Sequence, residues 1–335
     1  MTTGVVMMNM GGPWTLDDVE PFLHRLFEDI IELPARWVLR PLLVRARAPR
    51  VRRQYEAIGG GSPQRDWTTR QAAAMAAELD AISPGTGPHL VYPTFRYAEP
   101  SAETVLERMR ADGVRRAVAF PQYPHCSATT TGTSLADLWR AVARAGLDES
   151  FDWDVIDRWP THPAYIDALA ETVRKGLDAF ARPEAVPVLF SAHSLPIRTV
   201  ARGESYPLES AATVRAVMDR LAVPNPYLLA YQSKVGPMRW LGPSTADTVE
   251  RLAAHGATRL LLVAVSFICD HLETLWELDV ELAETARRAG ITELRRAPAL
   301  NDRPAFTRAL ARIVADRLAV KSPTREAGTR EEMKK

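Results

Sequence analysis

The chain has 335 residues, is 46% hydrophobic and 25% charged, and carries a formal net charge of +1. That composition supports one large or two medium packed domains and excludes the strongly basic field by which nucleic-acid binders hold phosphate. The two cysteines, Cys126 and Cys269, form no C-x-x-C motif, which excludes a disulfide framework or zinc knuckle and fits a reducing compartment. No apolar stretch reaches the roughly 20 residues of a membrane span. The amino-terminal MTTGVVMMNMGG has no basic leader and runs straight into a strand-like segment, so no targeting peptide is expected.

Val5 to Met10 reads as a first strand, broken by Gly11, Gly12 and Pro13. Thr15 then caps a helix whose Phe22, Leu23, Leu26 and Phe27 share one face. From residue 33 to 53, Trp37, Val38, Leu39, Leu42, Leu43 and Val44 are interleaved with Arg36, Arg40, Arg45, Arg47, Arg50, Arg52 and Arg53. Pro34, Pro41 and Pro49 are expected to interrupt any long helix here. An apolar patch rimmed by Arg suits a membrane surface or a ligand carrying carboxylates, and equally a packed helix pair with a solvated basic face. Ile58 to Pro63, IGGGSP, is a Gly-rich turn without the Lys-Ser/Thr of a P-loop or the spacing of G-x-G-x-x-G, so nucleotide binding is rejected. Strands over His89–Thr94, Arg116–Phe120 and Phe151–Ile156 follow, with a helix over Ala102–Arg110 between the first two.

After a helix over 163–181 the pattern restarts, with strands at Val186–Phe190, Tyr227–Tyr231 and Leu260–Ile268 and a fourth from Leu294. An amphipathic helix covers 304–319, and the charged tail is expected to be disordered. The run Leu260–Ile268 suits a strand buried on both faces. It switches abruptly to Asp270, His271, Glu273, Glu277, Asp279 and Glu281. On a helix, Glu273, Glu277 and Glu281 would stack as one carboxylate stripe. Like charges at this spacing destabilise a plain helix. The stripe is therefore either a solvated face or one whose repulsion is offset by a cation or by moving protons.

Pro100-Ser101 and Pro243-Ser244 each open a helix that closes on a glycine, Gly113 and Gly256. Glu107/Glu250, Arg108/Arg251, Ala111/Ala254 and Arg116/Arg259 match at the same offset. Two like halves, each a four-stranded parallel sheet with helices on both faces, are the simplest architecture. The cleft between them is the expected site. Carboxyl ends of strands are the functional edge of such sheets. Here they supply Asn9, Met10, Arg96, Tyr97, Tyr123, Trp159, His162, Ser191, His193, Gln232, Lys234, Asp270, His271 and Glu273. That mixture suits a flat, aromatic, anionic ligand on which protons or a cation are exchanged. Ser191 and Ser194 sit in no G-x-S-x-G elbow, which argues against a hydrolase. His271 with Glu273 suits a first-row divalent metal, although an i, i+2 pair shares a face only at a distorted turn.

The segments MMNMGGPWTLDDVEPFLHRLF, QYEAIGGGSP, FRYAEP, FPQYP, IDRWPTH, FSAHSLP, YQSKVGPMRWLGPST and FICDHLETLWELDVE run from residue 7 to about residue 300. Together they resemble the ferrochelatase family, whose members insert Fe(II) into a porphyrin. The resemblance implies an α/β chelatase fold of two Rossmann-like domains, each a four-stranded parallel sheet flanked by helices. The first spans 1–162 plus the C-terminal helix 303–322 and carries an apolar lip at 33–45. The second spans 163–302 and carries His193 and Glu273; residues 323–335 form the disordered tail. By resemblance His193 and Glu273 are catalytic and meet the metal, facing each other across the macrocycle. Asp270, His271, Glu277 and Glu281 form a proton or metal conduit behind them. The family's helix has a wide π turn here, which would let His271 and Glu273 share a face. Met10, Arg47, Arg50, Tyr55, Ser62, Arg96, Tyr97, Tyr123 and Trp240 match porphyrin-pocket positions, with Arg47, Arg50 and Ser62 near the propionates.

The reaction so implied inserts Fe(II) into protoporphyrin IX with loss of two protons, the last step of haem b formation. A coproporphyrin III ferrochelatase and a non-catalytic porphyrin or haem carrier are the alternatives. Coproporphyrin members typically carry Tyr where this chain has Met10. Iron is a substrate and no cofactor is permanently bound. Ala128 stands where animal members place an internal cluster cysteine, and REAGTREEMKK contains no Cys, so no [2Fe–2S] cluster is expected. The expected location is cytoplasmic, with peripheral contact at the inner face of the membrane through the lip. No nucleic-acid partner is expected, and a homodimer is compatible with the sequence.

Overall fold

β1 (Thr3–Asn9) is buried at every position, as a parallel strand covered on both faces must be. It belongs to a computed structural model that describes residues 2–30, 36–236 and 238–320. β2 (His89–Phe95) and β3 (Arg116–Pro121) flank β1, and β4 (Asp152–Val155) completes a parallel sheet of order β2-β1-β3-β4. The second half repeats this with β5 (Val188–His193), β6 (Tyr227–Gln232), β7 (Arg259–Ala264) and β8 (Glu293–Arg296) in the order β6-β5-β7-β8. The internal repeat is borne out down to single bonds. Phe95 N donates to Pro100 O and Tyr231 N to Pro243 O, each at 2.9 Å. Ser101 and Ser244 cap the helices that follow, accepting from Thr104 N and Asp247 N. Gly113 and Gly256 end those helices at φ 69° and 91°, a region that favours glycine.

The helices are α1 (Val19–Ile30), α2 (Arg36–Ala57), α3 (Gln64–Ile82), α4 (Ala102–Ala111), α5 (Thr133–Arg144), α6 (Pro163–Leu177), α7 (Ile197–Val200), α8 (Tyr206–Leu221), α9 (Thr245–Ala254), α10 (Ala283–Ala289) and α11 (Pro304–Ala319). A π-helical segment, Glu273–Leu282, leads into α10. The inner faces of the two sheets share one continuous core. Val5, Met7 and Phe120 of the first sheet join Phe190, Leu261 and Val263 of the second through α3, α6, α8 and α11. Smaller cores cover the outer faces, under α4 and α5 in the first half and under α9 and the π-helical segment in the second. α11 is pinned to the first sheet at its end. Arg116 and Arg317 both reach Asp154, at 3.0 and 3.1 Å, and Arg116 also donates to Leu318 O.

Two expectations need correction. Pro41 and Pro49 do not divide the basic stretch, because α2 runs unbroken for 22 residues. Each proline removes one ladder bond, and packing of Val44, Ala48 and Tyr55 against Val19, Leu23 and Phe27 of α1 offsets that loss. The strand expected to reach Ile268 ends at Ala264. Val265 N still donates to Ser191 O, but the next ladder position is filled by a side chain, with Ser266 Oγ accepting from His193 N at 3.0 Å. The Gly-rich turn serves packing. A Cβ on Gly61 would lie 2.2 Å from Trp14 O, and Ser62 N donates to Pro13 O at 2.7 Å. The expected tail at 323–335 and residues 33–35 of the expected lip lie outside the described residues.

Candidate active site

The carboxyl ends of β1, β2, β5 and β6 open toward the α1–α2 hairpin on one side and the π-helical segment on the other. Two contacts close the hairpin onto the second half: Leu272 packs on the α1–α2 core, and Arg50 pairs with Glu281 at 3.3 Å. His193 ends β5, with its side chain 36% exposed to this cleft. Its Nδ1 lies 2.6 Å from Ser194 O. A carbonyl can only accept, so Nδ1 carries the proton and Nε2 is left as the base in the neutral ring. Nε2 stands 3.7 Å from Glu273 Oε1.

That distance corrects the expectation that His193 and Glu273 flank the macrocycle. A flat ring touched on both faces would hold them about 7 Å apart, two van der Waals separations of ~3.5 Å. The two groups instead stand side by side and would address one face of a ring.

Behind Glu273 the stripe is real, but side chains outside the helix organise it. Ser233 Oγ donates within reach of both carboxylates, 2.5 Å from Glu277 Oε2 and 3.3 Å from Glu273 Oε2. Gln232 Nε2 donates to Glu277 Oε2 at 3.2 Å and to Glu273 O at 3.0 Å. The amide is oriented from behind, since Ser191 Oγ donates to its Oε1 at 2.7 Å. Ser191 is therefore a buried structural hydroxyl. Ser233 sits at φ 66°, a left-handed conformation that costs a non-glycine residue roughly 1–2 kcal/mol. The turn is what aims its hydroxyl at the two acids.

Burial, and then the charge of Glu273, push the Glu277 carboxyl from its ordinary value of 4.5 up to about 7; Ser233, His193 and Gln232 offset part of this. A carboxyl poised there can take and release protons at neutral pH. The sign for stability follows. The native state keeps this proton to about pH 7 while the unfolded chain loses it near 4.5. Stability therefore falls as pH rises through that window and is level above it. Glu277→Gln is expected to remove ~1–3 kcal/mol of that fall. Urea unfolding of variant and parent at pH 5 and pH 8 reads it directly, and parallel pH curves would refute it.

The remaining expected residues fall into groups. Tyr55 is buried, with burial and Glu273 pushing its phenol pKa up. Met10 directly follows β1, and its carbonyl accepts from Tyr97 N. Arg96 is engaged by Asp29 at 2.7 Å and Asp137 at 3.3 Å; Tyr97 donates to the same Asp29. Tyr123 meets Ser134, and Trp240 donates to Val235 O. Arg47 lies over Phe27, 6.0 Å from the ring centroid. Ser62 Oγ accepts from Gln64 N.

His271 precedes the π-helical segment and does not share a face with Glu273 through its winding. Its ring meets Phe267 edge-on, and its carbonyl accepts from Thr274 N and Leu275 N. Asp270 belongs to a separate network with Arg296, Thr274 and Asn301. Trp159 is core, against Phe120 and Tyr165, and His162 pairs with Asp316. Sequence reasoning overlooked Ser233 and Ser266. Ser233 lies between Gln232 and Lys234, both of which it selected, but only a left-handed backbone brings its hydroxyl onto the acids.

Two four-stranded parallel sheets flanked by helices are the fold of the chelatases. The structure of SirB from Bacillus subtilis with Fe3+ superimposes over 95% of this chain and 96% of its own, with a TM-score of 0.55 at 11% identity. The chain belongs to the ferrochelatase family, whose model matches residues 2–318. It is similar to the mitochondrial ferrochelatase of Xenopus laevis, 48% identical over 93% of this chain and 77% of that protein. Similarity to the human mitochondrial enzyme is 47%, over 93% and 75%. To that of Schizosaccharomyces pombe it is 41%, over 96% and 77%.

Proposed function

We infer that His193, Glu273 and Glu277 carry the proton traffic of the family's reaction, the insertion of iron into protoporphyrin to make haem. As a family member the chain is a porphyrin metal chelatase. Its substrates are Fe(II) and the free-base porphyrin; one metal ion replaces two pyrrole N–H protons. The observation that carries the assignment of roles is the tautomer of His193. With Nδ1–H committed to Ser194 O, the free Nε2 lone pair is available to a pyrrole proton. The imidazolium that results sits beside Glu273, which stabilises it electrostatically. Ser233 bridges Glu273 to Glu277, and Glu277 holds a proton near neutrality. Protons so leave the ring along the side on which His193 and Glu273 both stand, toward Glu281 at the surface.

Met10, in place of the tyrosine of coproporphyrin members, supports protoporphyrin IX as the substrate. No iron–sulfur cluster enters this reading, because position 128 is alanine and the chain has two cysteines where such a cluster takes four protein ligands. Cys269 is buried, and burial pushes its thiol up to about 12. The reading includes peripheral contact with the cytoplasmic face of a membrane, supported by Leu42 on α2, which is 59% exposed. Among the described residues no helix is long and apolar enough to cross a membrane.

Anaerobic Fe(II) and Zn(II) insertion assays with protoporphyrin IX and coproporphyrin III test the assignment. Faster turnover of protoporphyrin IX is expected. Faster turnover of coproporphyrin III would overturn the substrate, and porphyrin binding without metallation would overturn the enzyme in favour of a carrier.

A further inference from the structure

Arg296, in β8, lies outside every motif discussed above and contacts none of the reacting groups. Its side chain is only 13% exposed, and it holds two carboxylates at once. Nε and Nη2 grip Asp279 in a bidentate pair, both at 2.7 Å, and Nη1 stands 3.0 Å from Asp270 Oδ1. Burial works against this cation, but Asp279 and Asp270 outweigh it and raise its pKa.

The two acids bracket the start of the π-helical segment that carries Glu273 and Glu277. Asp270 stands just ahead of it, and Asp279 lies within its second turn. Asp270 is fixed by more than the arginine. Thr274 Oγ1 donates to it at 3.0 Å, Asn301 Nδ2 at 2.9 Å, and its own N–H donates to Asn301 Oδ1 at 2.8 Å. Asn301 is itself held in a left-handed turn, φ 44°, with its carbonyl accepting from Gln71 of α3.

One guanidinium ties the residue ahead of the π-helical segment to a residue inside it. Asp270 precedes the wound segment and Asp279 lies within it, so the two contacts tie its entry to its second turn. The fork of Nε and Nη2 fixes Asp279, and the ion pair from Nη1 to Asp270 ties that residue to the entry of the segment.

We propose that Arg296 is a positioning residue: by bridging Asp270 and Asp279 it holds the π winding that aims Glu273 and Glu277 at the cleft. This rests on the proposed function for its consequence in catalysis, but not for its consequence in structure. Two measurements therefore accompany each other on Arg296→Leu, Arg296→Lys and Asp279→Asn. Amide hydrogen exchange across 273–282 reads the winding, with β1 and β5 as internal references. Steady-state zinc insertion into protoporphyrin IX, well below each variant's Tm, reads the consequence.

Arg296→Leu is expected to lower kcat about 10–100-fold, the usual range for residues supporting a site from behind, while porphyrin KM changes little. Exchange should rise selectively in 273–282, and Arg296→Lys, keeping the charge but not the fork, should fall between Leu and parent. Exchange that rises uniformly over the protein, or a kcat that is unchanged, would overturn the proposal. A parent protein that fails to insert zinc would overturn the proposed function instead, and the exchange result would still judge the staple.

Discussion

His193→Ala is expected to cut metal insertion by about 10²–10⁴-fold with porphyrin affinity within a few-fold of the parent. Alanine removes the imidazole whose Nε2 faces Glu273 while its Nδ1 is held by Ser194 O. It removes little packing, since the ring lies at the cleft surface. The backbone bond from residue 193 to Ser266 survives the change. Fluorescence quenching of porphyrin gives the affinity and stopped-time zinc insertion gives the rate. A loss shared equally by binding and rate would mean that the ring supports the pocket rather than the chemistry.

Glu273→Gln is the second large effect. Glutamine keeps the shape and an oxygen for Ser233 while deleting the charge that faces Nε2 at 3.7 Å. The imidazolium formed on proton transfer then lacks its counter-charge, and insertion is expected to fall about 10²–10³-fold. A second consequence follows from the same charge. Glu273 is one of the groups that push Glu277 up, so its removal should move the acidic limb of the pH–rate profile downward. Replacing Glu277 or Glu281 by alanine should cost less than replacing Glu273. Equal losses at all three positions would argue against a graded path from the ring to the surface.

Much of the fold was legible in the sequence because parallel strands advertise themselves locally. Val5 to Met8 and Leu260 to Val263 are apolar on both faces, and a two-faced strand needs no partner to be recognised. The repeated Pro-Ser caps and terminal glycines exposed the two-fold plan for the same reason: a cap is satisfied within one helical turn. The basic stretch misled because a proline penalty is local while its remedy is not. α2 stays whole through packing against α1, a separate element earlier in the chain.

The strand pattern of the sequence placed His193 and Glu273 where strands end, because chain direction fixes which ends of a parallel sheet share an edge. Which face of a ring each would address was decided only in three dimensions. The 3.7 Å between His193 and Glu273 puts them side by side, and it depends on where β5 and the π-helical segment are held relative to each other. The same holds for Ser233, whose left-handed turn joins two acids that would otherwise repel. It holds for Arg296, which reaches Asp270 and Asp279 from a separate element, β8. Periodicity in a sequence records which residues are buried; the distance between two charges on separate elements is set by the packing of everything between them.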